Sequence, residues 1–100
     1  MAYRRGKDFE NYVKKILRRE GYFVVRAAGS KPVDLVAIKD GKVFFVECKV
    51  NNYVPSEDRE KLRKIAEETK LDVLIATHEG GRVVLKRAFD GGGGCYLSNR

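Results

Sequence analysis

The amino-acid sequence predicts an α/β domain in which a central five-stranded mixed β-sheet is flanked by helices. Three observations support this prediction. The apolar residues change between helical and strand spacing in the order helix, three strands, helix, two strands. The second helix supplies the long connection that a parallel pair of strands requires. The length of 100 residues is enough for one hydrophobic core.

The chain begins with a predicted helix over residues 7–20, followed by Gly21, a suitable terminator. Its apolar stripe consists of Phe9, Val13, Ile16 and Leu17. Residues 22–28, YFVVRAA, are rich in β-branched and aromatic side chains and predict the first strand. Residues 29–32, GSKP, predict the turn that follows it.

Residues 33–50, VDLVAIKDGKVFFVECKV, predict a β-hairpin around the dipeptide Asp40-Gly41. If these two residues occupy the centre of a tight turn, every facing pair has the same sum of residue numbers. Asp34 then faces Glu47, although like charges on facing residues destabilise a sheet. The hairpin therefore places two acids side by side near its outer end, at a cost in stability unless a positive charge lies close to them.

A loop at residues 51–55 leads to a second helix, for which Ser56 is the expected N-cap and Lys70 lies near the end. Its expected buried stripe is Leu62, Ile65, Ala66 and Thr69. Residues 72–77 and 82–87 predict the last two strands, around a turn with the sequence HEGG. These elements complete a domain over residues 1–90. Residues 91–100 contain four consecutive glycines and predict a flexible tail.

The formal charge of +7 and the estimated pI of 9.6 favour a polyanionic partner, of which nucleic acid is the leading candidate. An alternative is that the basic residues merely solvate a helix face. Seven of them crowd the first fifth of the chain: Arg4, Arg5, Lys7, Lys14, Lys15, Arg18 and Arg19.

No apolar run approaches the roughly 20 residues of a membrane span, and no apolar stretch follows the basic N-terminus. We therefore expect a cytoplasmic protein without membrane association.

Cys48 and Cys95 do not predict a disulfide framework, and His78 is the only histidine, so no zinc motif is present. A domain of this size is often dimeric, and the candidate dimer surfaces lie near Leu62 or Val84.

The two facing acids suit a divalent cation with oxygen ligands, because a positive charge between them relieves their repulsion. Magnesium would bind Asp34 and Glu47, the backbone carbonyl of Cys48 and a substrate phosphate. Lys49, on the same face as Glu47, could orient the attacking water or neutralise charge on the phosphate. This set suits phosphodiester hydrolysis. The alternative is a pair of strand-end acids that form ion pairs with Lys49 or an arginine.

Glu10 is a third candidate for the same site, because it lies at the margin of the first helix's apolar stripe and could lean over the sheet. Alternatively, Glu10 and Asp8 simply complement the dipole of the helix N-terminus.

The segment KPVDLVAIKDGKVFFVECKV resembles the PD-(D/E)xK nuclease superfamily, with Asp34 as its aspartate and Glu47-Cys48-Lys49 as its E-x-K. Together with RRGKDFE before it and VVRAAGSKPVDLVA, it is similar in order and spacing to the archaeal Holliday junction resolvases over about residues 3 to 87. The resemblance implies a restriction-endonuclease-like fold and a homodimer. It also implies symmetric cleavage of four-way DNA junctions with Mg²⁺, for which Mn²⁺ could substitute.

The resemblance also implies roles for individual residues. The expected catalytic residues are Glu10, Ser30, Asp34, Glu47 and Lys49, and the expected metal ligands are Glu10, Asp34, Glu47 and the Cys48 carbonyl. The expected DNA-binding residues are Arg4, Arg5, Lys7, Arg26, Ser30 and Lys31.

Two other functions stay open from the sequence. One is a different PD-(D/E)xK nuclease that acts on linear DNA, and competition between junction and duplex substrates distinguishes it. The other is a non-catalytic DNA-binding module with the same fold. Intact Asp34, Glu47 and Lys49 argue against the module, because a degenerate site has no evident reason to keep two repelling acids.

Overall fold

The computed structural model describes residues 7–27, 33–50, 53–89 and 95–98. Two helices and six strands follow one another along the chain, and both predicted helices and all five predicted strands are present. The elements are α1 (Lys7–Arg19), β1 (Phe23–Arg26), β2 (Leu35–Lys39), β3 (Lys42–Cys48), α2 (Ser56–Thr69), β4 (Asp72–Glu79), β5 (Arg82–Arg87) and β6 (Cys95–Ser98).

The strands form one mixed sheet in the order β1-β2-β3-β4-β5-β6. Only β3 and β4 run parallel, and the connection between them contains α2, as the sequence predicted. Strand β6 was not predicted, because it lies within the segment that we expected to be a flexible tail. It pairs antiparallel with β5, and a four-residue edge strand of this kind depends on hydrogen bonds from its neighbour.

The hairpin of β2 and β3 has the predicted register. Lys39 faces Lys42, and the pairing continues to Leu35 and Val46 with a constant sum of residue numbers. Asp40 and Gly41 have φ values of 53° and 78°, as a tight hairpin turn with two left-handed residues requires. Asp34 immediately precedes β2, so the same register carried one residue further places it opposite Glu47.

The core has two parts, one on each face of the sheet. On one face, α1 buries its predicted stripe in a cluster to which all five of the predicted strands contribute. The buried residues of this part are Phe9, Val13, Ile16, Leu17, Val24, Leu35, Ala37, Phe44, Val46, Leu74, Ala76, Val83 and Leu85. On the other face, α2 packs Leu62 with Val33 and Val73. The two helices therefore enclose the sheet, as expected for this fold class.

Three details of the second half of the chain differ from the predictions made from the sequence. Ser56 is the first residue of α2 rather than its N-cap, which is Pro55, and no side chain caps this end. Thr69 is exposed rather than buried, and its hydroxyl donates to the Ile65 carbonyl at 2.7 Å, which satisfies the polar group locally. Strand β4 extends to Glu79, so the turn contains only Gly80 and Gly81.

Leu62 and Val84 cannot form the dimer surface proposed near them through their own side chains, because both are buried within the chain. Neither α1 nor α2, the helices that the structure describes, is long and apolar enough to cross a membrane.

Candidate active site

The candidate active site lies where β2 begins and β3 ends. Two backbone hydrogen bonds hold Asp34 at this point: the Ala27 N–H donates to the Asp34 carbonyl at 3.0 Å, and the Asp34 N–H donates to the Val46 carbonyl at 3.1 Å. Glu47 lies within β3, and Lys49 directly follows this strand. The sheet therefore brings Asp34 together with Glu47 and Lys49, which lie 13 and 15 positions later in the sequence.

Asp34 is also held by its side chain. Its Oδ2 atom accepts a hydrogen bond from the backbone N–H of Cys48 at 2.9 Å. The N–H and C=O of one residue in an antiparallel strand point to the same neighbouring strand, so the Cys48 carbonyl also faces the Asp34 side. This orientation suits its predicted role as an oxygen ligand beside the Asp34 carboxylate.

The thiol of Cys48 is not suited to act as a nucleophile. Burial raises its pKa well above the ordinary value, and the negative charges of Asp34, Glu10 and Glu47 raise it further. The thiol therefore stays protonated, and it packs against the core on the α1 face. Only the backbone of Cys48 is available for chemistry at this site.

The carboxyl groups of Glu47 and Asp34 repel each other in the protein, as the facing register predicted. The pKa of Glu47 is raised to about 7, by burial above all and then by the negative charge of Asp34, while the charge of Lys49 opposes this rise. The two acids are close enough to share a hydrogen bond when one of them is protonated. A cation bound between them would remove this electrostatic cost.

Glu10 reaches the same cluster from α1, as one of the two interpretations of this residue predicted. Its side chain is only 15% exposed, and its Oε1 atom lies 3.2 Å from the Nε atom of Arg26, which ends β1. Partial burial raises the pKa of Glu10, and the charge of Asp34 adds to this rise, while Arg26 counteracts it. Glu10 is therefore a third carboxyl group beside Asp34, with Arg26 as its counterion.

Lys49 has a partner that the sequence pattern did not indicate. Its Nζ atom lies 2.8 Å from Oδ2 of Asp58 in the first turn of α2, and 3.6 Å from Oε2 of Glu47. Burial lowers the pKa of Lys49, but the hydrogen bond to Asp58 and the charges of Glu47 and Asp58 outweigh it and raise the pKa. The ammonium group is therefore charged. In the sequence, Asp58 gave only the signal of an acid that complements a helix dipole.

No group of three or more His, Cys, Asp or Glu side chains within the described ranges has an arrangement that could hold a metal ion. Magnesium does not need such a group, because it commonly uses one or two carboxylates together with waters and substrate phosphates. Asp34 and Glu47, with the Cys48 carbonyl beside them, fit this requirement. Glu10 as a further ligand stays a prediction, since its carboxylate is paired with Arg26.

The residues expected to bind DNA divide into two groups. Lys7 is exposed at the start of α1, and Arg26 is exposed beside Glu10. The other predicted contacts lie outside the described residues: Arg4, Arg5, Ser30 and Lys31.

Comparison with known proteins identifies the family. The family model described as archaeal Holliday junction resolvase (Hjc) matches residues 1–90. The chain belongs to the archaeal Holliday junction resolvase family. A relative of this resolvase family, the crossover junction endodeoxyribonuclease Hjc of Methanocaldococcus jannaschii, is 45% identical over 69 residues. The match covers 65% of the chain and 52% of the relative, so the chain spans about half the length of the curated relative it matches.

A solved structure supports the fold of this resolvase family member. It is that of Archaeoglobus fulgidus Hjc, described as a Holliday junction resolvase from an archaeal hyperthermophile. The TM-score is 0.72 at 20% sequence identity, and the match covers 83% of this chain and 77% of the other. At this identity the likeness concerns the fold alone, and it confirms the restriction-endonuclease-like architecture that the family resemblance implied.

Proposed function

We propose that the chain is a structure-selective endodeoxyribonuclease that resolves four-way DNA junctions by metal-dependent phosphodiester hydrolysis, in recombination and repair. The observation that carries this proposal is the cluster of Asp34, Glu47 and Lys49 at the ends of two paired strands. The family match and the name of the relative from Methanocaldococcus jannaschii support the choice of substrate. A cytoplasmic location, expected from the sequence, is part of the same proposal.

The proposed cofactor is Mg²⁺, with Mn²⁺ as a possible substitute. When bound, it would polarise a phosphoryl oxygen and lower the pKa of a coordinated water. Asp34, Glu47 and the Cys48 carbonyl would hold it, and Glu10 would complete the carboxylate cluster. Lys49 carries a positive charge beside this cluster, so it orients the attacking water or stabilises the negative charge that develops on the phosphate.

The charge distribution supports a DNA substrate. The acidic cluster lies in a chain with a net charge of +7, so the residues around it can attract the phosphate backbone. Arg26 and Lys7 are the described residues assigned to this role, and Arg4, Arg5, Ser30 and Lys31 are assigned to it from the sequence. Phosphate contacts of this kind position the DNA and do not read its sequence.

Paired nicks in two strands require two active sites, and the described residues form one cluster of this kind. We therefore include a homodimer in the proposal. Phe23 and Val25 are 67% and 43% exposed on β1. They lie on the sheet face opposite buried Val24, and α2 packs on that face only farther along the sheet. An exposed apolar surface formed by these two side chains of β1 supports association with a second copy of the chain.

The experiment that tests the function is cleavage of a labelled synthetic four-way junction beside a linear duplex of matching sequence, with and without Mg²⁺. We expect paired, symmetric nicks in the junction only, and only with the metal. Cleavage of both substrates would favour a nuclease for linear DNA. Tight binding without cleavage would favour a non-catalytic DNA-binding module.

A further inference from the structure

We propose that Asp58 is a positioning residue that holds the ammonium group of Lys49 beside the Asp34 and Glu47 carboxylates. This inference deepens the proposed function and rests on it. It assigns a role in the active site to α2, a helix that contributes no residue to the motif formed by Asp34, Glu47 and Lys49.

The contacts of Lys49 carry the inference. The distance from its Nζ atom to Asp58 is 2.8 Å, which is a direct hydrogen bond, whereas the distance to Glu47 is 3.6 Å. A lysine side chain has a flexible four-carbon stem, so a single long contact would leave the position of its charge poorly defined. Asp58 supplies the shorter contact and thereby restricts the ammonium group to one place.

Asp58 itself is held in a defined position. It lies one helical turn before Leu62, on the same face of α2, and Leu62 is buried between the helix and the sheet. The packing of Leu62 with Val73 therefore fixes the part of the helix that carries Asp58. By contrast, the neighbouring Glu57 is exposed and lies about 100° further round the helix than Asp58. Glu57 can complement the helix dipole without approaching Lys49, so the dipole does not by itself account for the position of Asp58.

The test compares Asp58→Asn with the matched control Glu57→Gln, which removes the same charge from the same turn of α2. The assay is single-turnover cleavage of a four-way junction with Mg²⁺, together with junction affinity and melting temperature. We expect Asp58→Asn to slow cleavage roughly 10- to 100-fold, the scale of a small displacement of a catalytic group. Junction affinity and melting temperature should stay close to those of the wild type.

The variant Asp58→Glu keeps the carboxylate and should cleave faster than Asp58→Asn, whereas a merely structural loss would not be rescued in this way. Glu57→Gln should cleave like the wild type. The inference is overturned if Asp58→Asn cleaves within about twofold of the wild type or faster, a difference too small for a displaced catalytic group. It is also overturned if the Glu57 variant loses as much activity, or if Asp58→Glu gives no rescue.

The same assay distinguishes an error in the proposed function from an error in the role of Asp58. A wild-type protein that cleaves no DNA in any metal overturns that function and this inference together. A wild-type protein that cleaves the junction, with cleavage that depends on Lys49 but not on Asp58, overturns the inference alone.

Discussion

The carboxylate of Asp34 accepts a hydrogen bond from the backbone N–H of Cys48 at 2.9 Å, which ties the residue before β2 to the last residue of β3. This contact fixes the carboxylate next to Glu47 and on the side of the Cys48 carbonyl. The same hydrogen bond therefore stabilises the junction of the two strands and positions a carboxylate of the proposed metal site. These two functions can be separated, because an asparagine side chain can accept the hydrogen bond but lacks the charge.

Asp34→Asn should reduce junction cleavage at least about a hundredfold, because the proposed metal, which would stabilise the charge developing on the phosphate, loses a carboxylate ligand. The free energy of unfolding should not fall, since the amide keeps the bond to Cys48 and removes the repulsion with Glu47. Junction affinity should stay largely intact, because phosphate contacts dominate it. Cleavage assays, urea unfolding and a binding titration measure the three quantities. Loss of binding together with cleavage would contradict the assigned role.

The raised pKa of Glu47 predicts how stability changes with pH in the absence of metal. Between the ordinary value of 4.5 and about 7, the folded protein binds more protons than the unfolded chain. The free energy of unfolding should therefore fall as the pH rises through this window, by an amount on the order of 2 kcal/mol. Glu47→Gln should remove this fall and be more stable than the wild type at pH 8.

The prediction for Glu47 is measured by thermal unfolding of the wild type and of Glu47→Gln from pH 4 to pH 8. Addition of Mg²⁺ at pH 8 is the control. The proposed binding of Mg²⁺ to the folded state alone should raise the melting temperature of the wild type, and it should raise that of Glu47→Gln less. Equal pH profiles for the two proteins would show that Glu47 is not the titrating group.

Arg26 should contribute to DNA affinity as well as to the position of Glu10. Arg26→Gln is expected to weaken junction binding. The slope of the logarithm of the binding constant against the logarithm of salt concentration should become shallower by about one, the value for the loss of one phosphate contact. Lys42→Gln is the matched control, because Lys42 is exposed at the hairpin turn, far from the acidic cluster. Equal effects of the two substitutions would indicate only a change in net charge, without a specific contact from Arg26.

The exposed apolar face around Phe23 predicts where two copies meet. The wild type should have about twice the chain mass of 11.4 kDa in solution, and Phe23→Glu should shift it towards a single chain. Tyr53→Glu is the control, because Tyr53 is equally exposed, at 67%, but lies in the loop before α2. Light scattering after size-exclusion chromatography distinguishes the two states. A dimer that persists in Phe23→Glu would place the interface elsewhere.

The sequence by itself determined the order of the helices and of the first five strands, the register of the hairpin and the facing of Asp34 and Glu47. It could do so because these features follow from short-range rules: the spacing of apolar residues, the two-residue Asp40-Gly41 turn and the alternation of side chains along a strand. Once the turn is fixed, the distance of each acid from it decides which residue it faces.

Only the tertiary structure decided which side chains from outside the hairpin reach the site. Glu10 pairs with Arg26, and Asp58 binds Lys49, because α1 and α2 pack on opposite faces of the sheet at particular heights and angles. The additional strand β6 likewise depends on the free edge of β5. Such contacts depend on how the helices and strands pack together over the whole domain, and no local pattern of residue types encodes that packing.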